Sequence, residues 1–321
     1  MGATARELGR TGLVVSRIGL GLAAVGRPAY ITLGRANDLG VDRSAEAMRT
    51  RSHALLDAAY EAGVRYVDAA RSYGRAEEFL GGWLSARGFA PGEVTIGSKW
   101  GYRYTGEWRL DAPVQEVKDL SVDNLRRQLA ESRALLGDHL RLYQIHSVTL
   151  ESGVLADDAV LAELRRIKET GLMVGLTVTG PGQADTIERS LALGLFDTVE
   201  ATWNLLERSA TRALERAHET GMGVIVKEAL GNGRLTASGE EQRLLDLSRE
   251  SELAPDVLAL AAVLGQPWAD VVLSGAVSAD QLGSNLAALD VRVDNHLQER
   301  LRDLVEPAEQ YWSERARLAW A

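Results

Sequence analysis

Four ionisable side chains stand at or just past the ends of three successive apolar, β-rich runs. Asp68 and Tyr73 follow VRYVD, Lys99 follows VTIGS, and His146 follows LRLYQI. Such runs ordinarily give way to turn residues, so this placement invites a chemical explanation. A tyrosine phenol, with an ordinary pKa of about 10, is a poor acid or base at neutral pH. An ammonium within hydrogen-bonding reach stabilises the phenolate and lowers that value. An aspartate beside the lysine keeps the ammonium charged and oriented, and a histidine orients a carbonyl or relays a proton. Such a set is a proton donor and oxyanion clamp for a carbonyl, with no metal and no covalent nucleophile. Each residue also has a structural reading: a loop cap, a turn, a snorkelling lysine, a satisfied core histidine. Their joint occurrence at corresponding strand ends favours the chemical one.

Parallel strands closed into a barrel bring those ends to one face. The strand candidates are VSRIGLG, VRYVDAA, VTIGSKW, LRLYQIHS, MVGLTVTG, TVEATWN, GVIVKEA and DVVLSGA, and amphipathic helical patterns separate them, most ending near a glycine. Near-continuous apolar strands alternating with helices predict an (α/β)8 TIM barrel rather than an open sheet. Residues 1–14 read as a β-hairpin around Gly9 to Gly12 that closes the barrel floor. Two long loops, 23–45 after the first strand and 100–119 after the third, lie on the strand-end side. Their aromatic residues, Tyr30, Trp100 and Trp108 among them, suit either a substrate pocket rim or packing of the loops onto the barrel. Tyr311, Trp312 and Trp320 of the C-terminal tail either reach the pocket or cover a helix. No interdomain linker is visible, and residues 1–321 read as one domain.

Composition narrows the function. Of 321 residues, 45% are apolar and 25% charged, and the net charge of −9 disfavours nucleic acid as a partner. There is no cysteine, which excludes disulfides, thiolate metal sites and a cysteine nucleophile. No run approaches the length of a membrane span and no leader is recognisable, so a cytoplasmic protein is expected. The chain uses four lysines against 32 arginines. Lysine at a strand end is therefore a better functional candidate than lysine on a helix, which singles out Lys99 and Lys227 over Lys118 and Lys168.

Seven segments carry a family resemblance: LGRTGLVVSRIGLG (8–21), VDAARSYGRAEEFLG (67–81), IGSKWG (96–101), LYQIHS (142–147), WNLLER (203–208), EALGNGRL (228–235) and LSGAVSADQLGSNLAAL (273–289). The D-x-A-x-x-Y-G segment with downstream Lys and His resembles the aldo-keto reductase family over nearly the whole chain. The resemblance implies reduction of an aldehyde or ketone by hydride transfer from a nicotinamide. Tyr73 would be the proton donor, Lys99 and Asp68 its assistants, and His146 the residue that positions the carbonyl.

The resemblance also implies cofactor contacts. Thr177-Val178 stands where the family usually has Ser-Asn against the carboxamide, leaving Thr177 or Thr179 to serve. Glu200 replaces a glutamine, and Trp203 takes the place of the tyrosine that stacks on nicotinamide. Leu230, Gly231, Gly233 and Arg234, with Gly275, Ser278, Gln281 and Asn285, would hold the phosphates and adenosine, backbone amides and a helix N-terminus being suited to anions. The cofactor implied is NADPH, with NADH as the alternative, because 273–289 holds no Lys or Arg and only Arg234 offers a charge for a 2′-phosphate. Alternatives are the same site run as a sugar or alcohol dehydrogenase, a Schiff-base aldolase on Lys99, and a redox-sensing regulatory subunit. The sequence leaves oligomeric state open.

Overall fold

The computed structural model describes residues 5–33 and 38–320. An antiparallel hairpin, β1 (Ala5–Glu7) and β2 (Val14–Ser16), precedes three barrel strands, β3 (Ile18–Gly21), β4 (Tyr66–Asp68) and β5 (Thr95–Trp100). A second hairpin, β6 (Tyr102–Tyr104) with β7 (Glu116–Lys118), interrupts the barrel order. The remaining strands are β8 (Leu140–Val148), β9 (Met173–Val178), β10 (Thr198–Thr202), β11 (Gly223–Lys227) and β12 (Val271–Ser274). All barrel pairs are parallel, and the sheet closes where β12 meets β3 and β9 meets β10. All eight strand candidates of the sequence reading are therefore barrel strands, seven of them shortened and LRLYQIHS extended by one residue to Val148.

Helices alternate with the strands on the outside: α1 (Ala45–Glu61), α2 (Ala76–Arg87), α3 (Val122–Leu136), α4 (Asp158–Glu169), α5 (Gln183–Leu193), α6 (Thr211–Glu219), α7 (Gln242–Ser251), α8 (Pro255–Leu264), α9 (Ala279–Ala287), α10 (Asn295–Arg302) and α11 (Ala308–Ala316). Hydroxyl and carboxylate caps start several of them. Ser44, Ser121, Asp157 and Ser278 each accept from a backbone N–H of the first turn. Gly88 and Gly194, in left-handed conformation, end α2 and α5 as their positions in the sequence suggest.

The floor of the barrel is apolar. Leu8, Leu13 and Val15 of the hairpin pack against Tyr66, Leu142 and Ile225, so the expected floor-closing role is observed for the described part, residues 1–4 lying outside it. Tyr66 fills the interior so closely that a Cβ on Gly97 would lie 2.5 Å from its hydroxyl, which accounts for glycine there. Ionisable side chains are thus pushed to the opposite, C-terminal rim.

The loop expected over 100–119 is ordered by the β6–β7 hairpin. Gln115 holds its tip by donating to the carbonyls of Arg109 (3.1 Å) and Leu110 (3.3 Å). Of the 23–45 loop, residues 34–37 lie outside the described residues; the remainder lies over the barrel mouth, where Leu33 N–H donates to Asn232 O at 3.0 Å. Among the described residues no helix is long and apolar enough to cross a membrane.

Candidate active site

The strand register determines which side chains meet. Side chains alternate along each strand, so Asp68, Lys99 and Glu200 point into the barrel from β4, β5 and β10. The Lys99 ammonium, fully buried, is bonded to Asp68 Oδ2, donates to Ala69 O at 3.3 Å, and lies 3.5 Å from Glu200 Oε2. Gln144 Nε2 donates to that same Glu200 oxygen at 3.0 Å. One cation is shared by two carboxylates. Burial first, then the neighbouring Glu200, pushes the Asp68 carboxyl up to about 7 against the opposing pull of Lys99. Lys99 itself is held charged: burial disfavours its ammonium, but Asp68 and Glu200 together outweigh that and raise it.

Tyr73 sits above this cluster on the loop after β4, its ring centroid 5.2 Å from Lys99 Nζ and edge-on to His146 at 5.5 Å. His146 stands where the β8–β9 ladder slips register between Ile145 and Val148, with Ser147 at a positive φ of 54°. Such an irregularity re-aims a side chain, here toward the barrel mouth. Tyr102 stacks edge-on to the other side of the imidazole at 5.1 Å, and Ser72 Oγ lies 3.4 Å from Nδ1. Burial, then the charges of Lys99, Lys227, Arg27 and Lys118, holds the imidazolium well below the ordinary histidine range. A neutral ring whose Nδ1 accepts from Ser72 presents Nε2–H as a donor.

The quartet is therefore brought together as the sequence suggested, with one correction. Lys99 was expected to lower the Tyr73 pKa, but the phenol is pushed well above its ordinary value, by burial first and then by Asp68. The ammonium charge is already compensated by two carboxylates, and no hydrogen bond joins it to the phenol among the described contacts. Tyr73 is a firmly protonated phenol at neutral pH.

A cavity of about 710 Å³ opens over these residues and runs across the rim to the β12–α9 segment. Its lining includes Asp68, Tyr73, His146, Thr179, Glu200 and Lys227 at one end, and Gly275, Gln281 and Asn285 at the other. Tyr30, Leu230 and Gly233 also line it, while Gly231 is buried immediately behind. Ser278 caps α9 at the far end by accepting from Gln281 N–H. Asn285 is fixed there, its Oδ1 accepting from Ser274 Oγ (2.7 Å) and its Nδ2 donating to Asp256 Oδ2 (3.1 Å).

Five sequence candidates stand elsewhere. Thr177 is buried, its Oγ1 accepting from Ser147 N–H at 2.7 Å, so it pins the irregularity that carries His146. Trp203 follows the inward-pointing Thr202 and so points outward, edge-on to Trp268 at 5.4 Å and donating from Nε1 to Thr211 Oγ1 at 2.8 Å. Trp100 follows Lys99 in the same way and is fully buried outside the cavity. Trp108 lies against Phe79, 6.1 Å between centroids, with Nε1 donating to Arg43 O at 2.8 Å. Arg234 is turned toward Glu306 and Glu314, bonded to the former at 3.1 Å through Nη1, and does not line the cavity.

Lys118, Glu228 and Arg27, the last an arginine of the 23–45 loop expected at the pocket rim, also bear on the site. Lys118 donates to Ser147 O at 2.7 Å. Arg27, lying 5.4 Å from the Tyr73 ring, donates to Ser72 O (2.9 Å) and Glu116 (2.8 Å). Glu228, at a φ of 54°, is gripped by Arg315 of α11 through Nε at 2.9 and 2.8 Å. Trp320 closes the mouth over Arg27 (4.7 Å) and Tyr30 (6.4 Å), which answers the question about the tail.

A closed parallel barrel with a buried Lys–carboxylate cluster under a tyrosine and a histidine is the layout of a barrel-fold oxidoreductase. The model of the Aldo/keto reductase family matches residues 17–306, and the chain belongs to that family. The uncharacterized oxidoreductase YqkF of Bacillus subtilis is 25% identical, over 89% of this chain and 91% of its own. The NADH-specific methylglyoxal reductase of Escherichia coli is 24% identical, over 94% and 98% respectively. The solved aldo-keto reductase AKR11C1 from Bacillus halodurans shares the fold with a TM-score of 0.74 at 22% identity, covering 95% of this chain and 97% of its own. The protein is an NAD(P)H-dependent oxidoreductase of a family that acts on small carbonyl compounds.

Proposed function

We propose that this chain, acting as one unit, reduces an aldehyde or ketone at the Tyr73–His146 end of the cavity. The observation that carries this is the ion cluster of Lys99, Asp68 and Glu200 beneath a protonated Tyr73 that faces a neutral His146. The cavity also fits a nicotinamide dinucleotide. It extends from the quartet past Leu230 and Gly233 to the N-terminus of α9, where backbone and the Asn285 amide offer polar contacts. A reduced nicotinamide held there supplies the hydride. His146 Nε2–H and the Tyr73 hydroxyl then polarise the carbonyl oxygen, and Tyr73 transfers its proton as charge develops. Lys99 offsets Asp68 and Glu200, whose charges would otherwise oppose the resulting phenolate.

Reduction starts from the Tyr73 phenol and alcohol oxidation from its phenolate, so oxidation should require the higher pH. The paired Lys99 ammonium is not the free amine that a Schiff-base aldolase requires. The test is a screen of aldehydes, ketones and sugars with NADH and NADPH, followed at the reduced nicotinamide band. Absence of any carbonyl-dependent oxidation of either cofactor would remove the proposal. A cytoplasmic setting accords with the cysteine-free composition.

The charges at the far end favour NADH over the NADPH implied by family resemblance. Asp256 and Asp280 line that end, Asp256 accepting from Ser284 Oγ at 2.7 Å, and Arg234 is committed elsewhere. A 2′-phosphate near these carboxylates has no basic partner among the described lining residues of that end. NADH should therefore show a KM lower than that of NADPH by about tenfold or more. Asp256→Asn should narrow the gap, and a parent enzyme that prefers NADPH would refute this assignment.

A further inference from the structure

Three cations line the cavity among the described residues: Arg27, Lys227 and Arg315. Arg27 is paired with Glu116 and Arg315 with Glu228. Lys227 differs. Its ammonium donates to Thr202 Oγ1 at 3.0 Å and faces the Trp312 ring at 5.9 Å, with no carboxylate of the described residues within 4 Å. Glu228, the next residue, is turned onto Arg315 instead. An ammonium drawn out of water beside an indole is costly unless a partner compensates it. At the reacting end Asp68, Glu200, Glu116 and Glu228 are each engaged with Lys99, Arg27 or Arg315, and Lys99, Lys227, Arg27 and Lys118 all disfavour protonation of His146. The carboxylates Asp256 and Asp280 lie at the opposite end.

We propose that Lys227 receives an anionic group on the substrate, so that the enzyme prefers carbonyl compounds bearing a carboxylate or phosphate. This rests on the reductase reading above and names the substrate class for that site. The ammonium projects from the end of β11, beside Thr202 at the end of β10, into the cavity that Tyr73 and His146 also line. A substrate whose carbonyl lies between those two residues can direct its anion to Lys227 without crossing the Asp256–Asp280 end.

The test compares 4-carboxybenzaldehyde with its uncharged methyl ester in the parent, Lys227→Met and Lys227→Arg, alongside NADH titration by fluorescence. The parent should favour the acid, and Lys227→Met should lose about tenfold or more in kcat/KM on the acid beyond its loss on the ester. Lys227→Arg should recover part of that difference, and the NADH Kd should shift less than the acid KM. Equal losses on acid and ester would overturn the proposal and make Lys227 an electrostatic partner of Asp68 and Glu200. A loss that follows the NADH Kd would overturn it in favour of a cofactor phosphate. A parent that reduces the ester but does not favour the acid defeats this inference alone. One that reduces neither aldehyde, nor any carbonyl of the wider screen, defeats the reductase reading with it.

Discussion

Replacing Tyr73 by phenylalanine should lower carbonyl reduction by about 10²–10⁴-fold while leaving the NADH Kd nearly where it was. The hydroxyl is the only atom removed, and the ring keeps its edge-on contact with His146 at 5.5 Å and its place under Arg27 at 5.4 Å. What disappears is the acidic proton at the position where negative charge develops. The remaining donor, His146 Nε2–H, polarises the carbonyl, but a neutral imidazole so far from protonation is a weak acid. Stopped-flow measurement of NADH oxidation separates the chemical step from binding. A Tyr73→Phe enzyme that reduces carbonyls at the parent rate would remove Tyr73 from the role of acid and move it to His146.

The parts legible in sequence were those governed by local periodicity. Each barrel strand is a short apolar run, and the quartet is recognisable because ionisable residues break that pattern at corresponding ends. Side-chain parity was legible too, but only once strand ends were known. Glu200 and Thr202 point inward, so Trp203 must face the helices, and the same alternation takes Trp100 away from the cavity beside Lys99. The rest depends on contacts distant in sequence. Arg315 reaches Glu228 across 87 positions, and Lys118 reaches Ser147 through a hairpin whose short strands, YRY and EVK, give little signal. The direction of the Tyr73 shift was likewise hidden. A lysine next to a tyrosine lowers its pKa only when its charge is unspent, and two buried carboxylates spend it.

That balance makes Lys99→Met the most disruptive single change at the site. The variant leaves Asp68 and Glu200 facing each other in a buried space without their cation, a loss expected to cost about 3–5 kcal/mol of stability. The sign of its pH dependence follows from Asp68, whose folded value of about 7 already exceeds that of the unfolded chain. Without Lys99 the folded value rises further. Stability held by the protonated carboxyl is complete in acid and is lost as pH rises through the folded value. The Tm deficit relative to the parent should therefore widen above about pH 7, and a deficit constant across that range would show that the carboxylates do not depend on Lys99. Turnover should fall by about 10²–10⁴-fold, because the phenolate left after proton transfer then faces a buried carboxylate that no cation offsets. Structural and chemical losses are separated by adding Asp68→Asn. The double variant holds one buried carboxylate instead of two and should regain much of the Tm, yet remain as slow as Lys99→Met. Recovery of turnover together with Tm would mean that Lys99 only supports the fold around Tyr73.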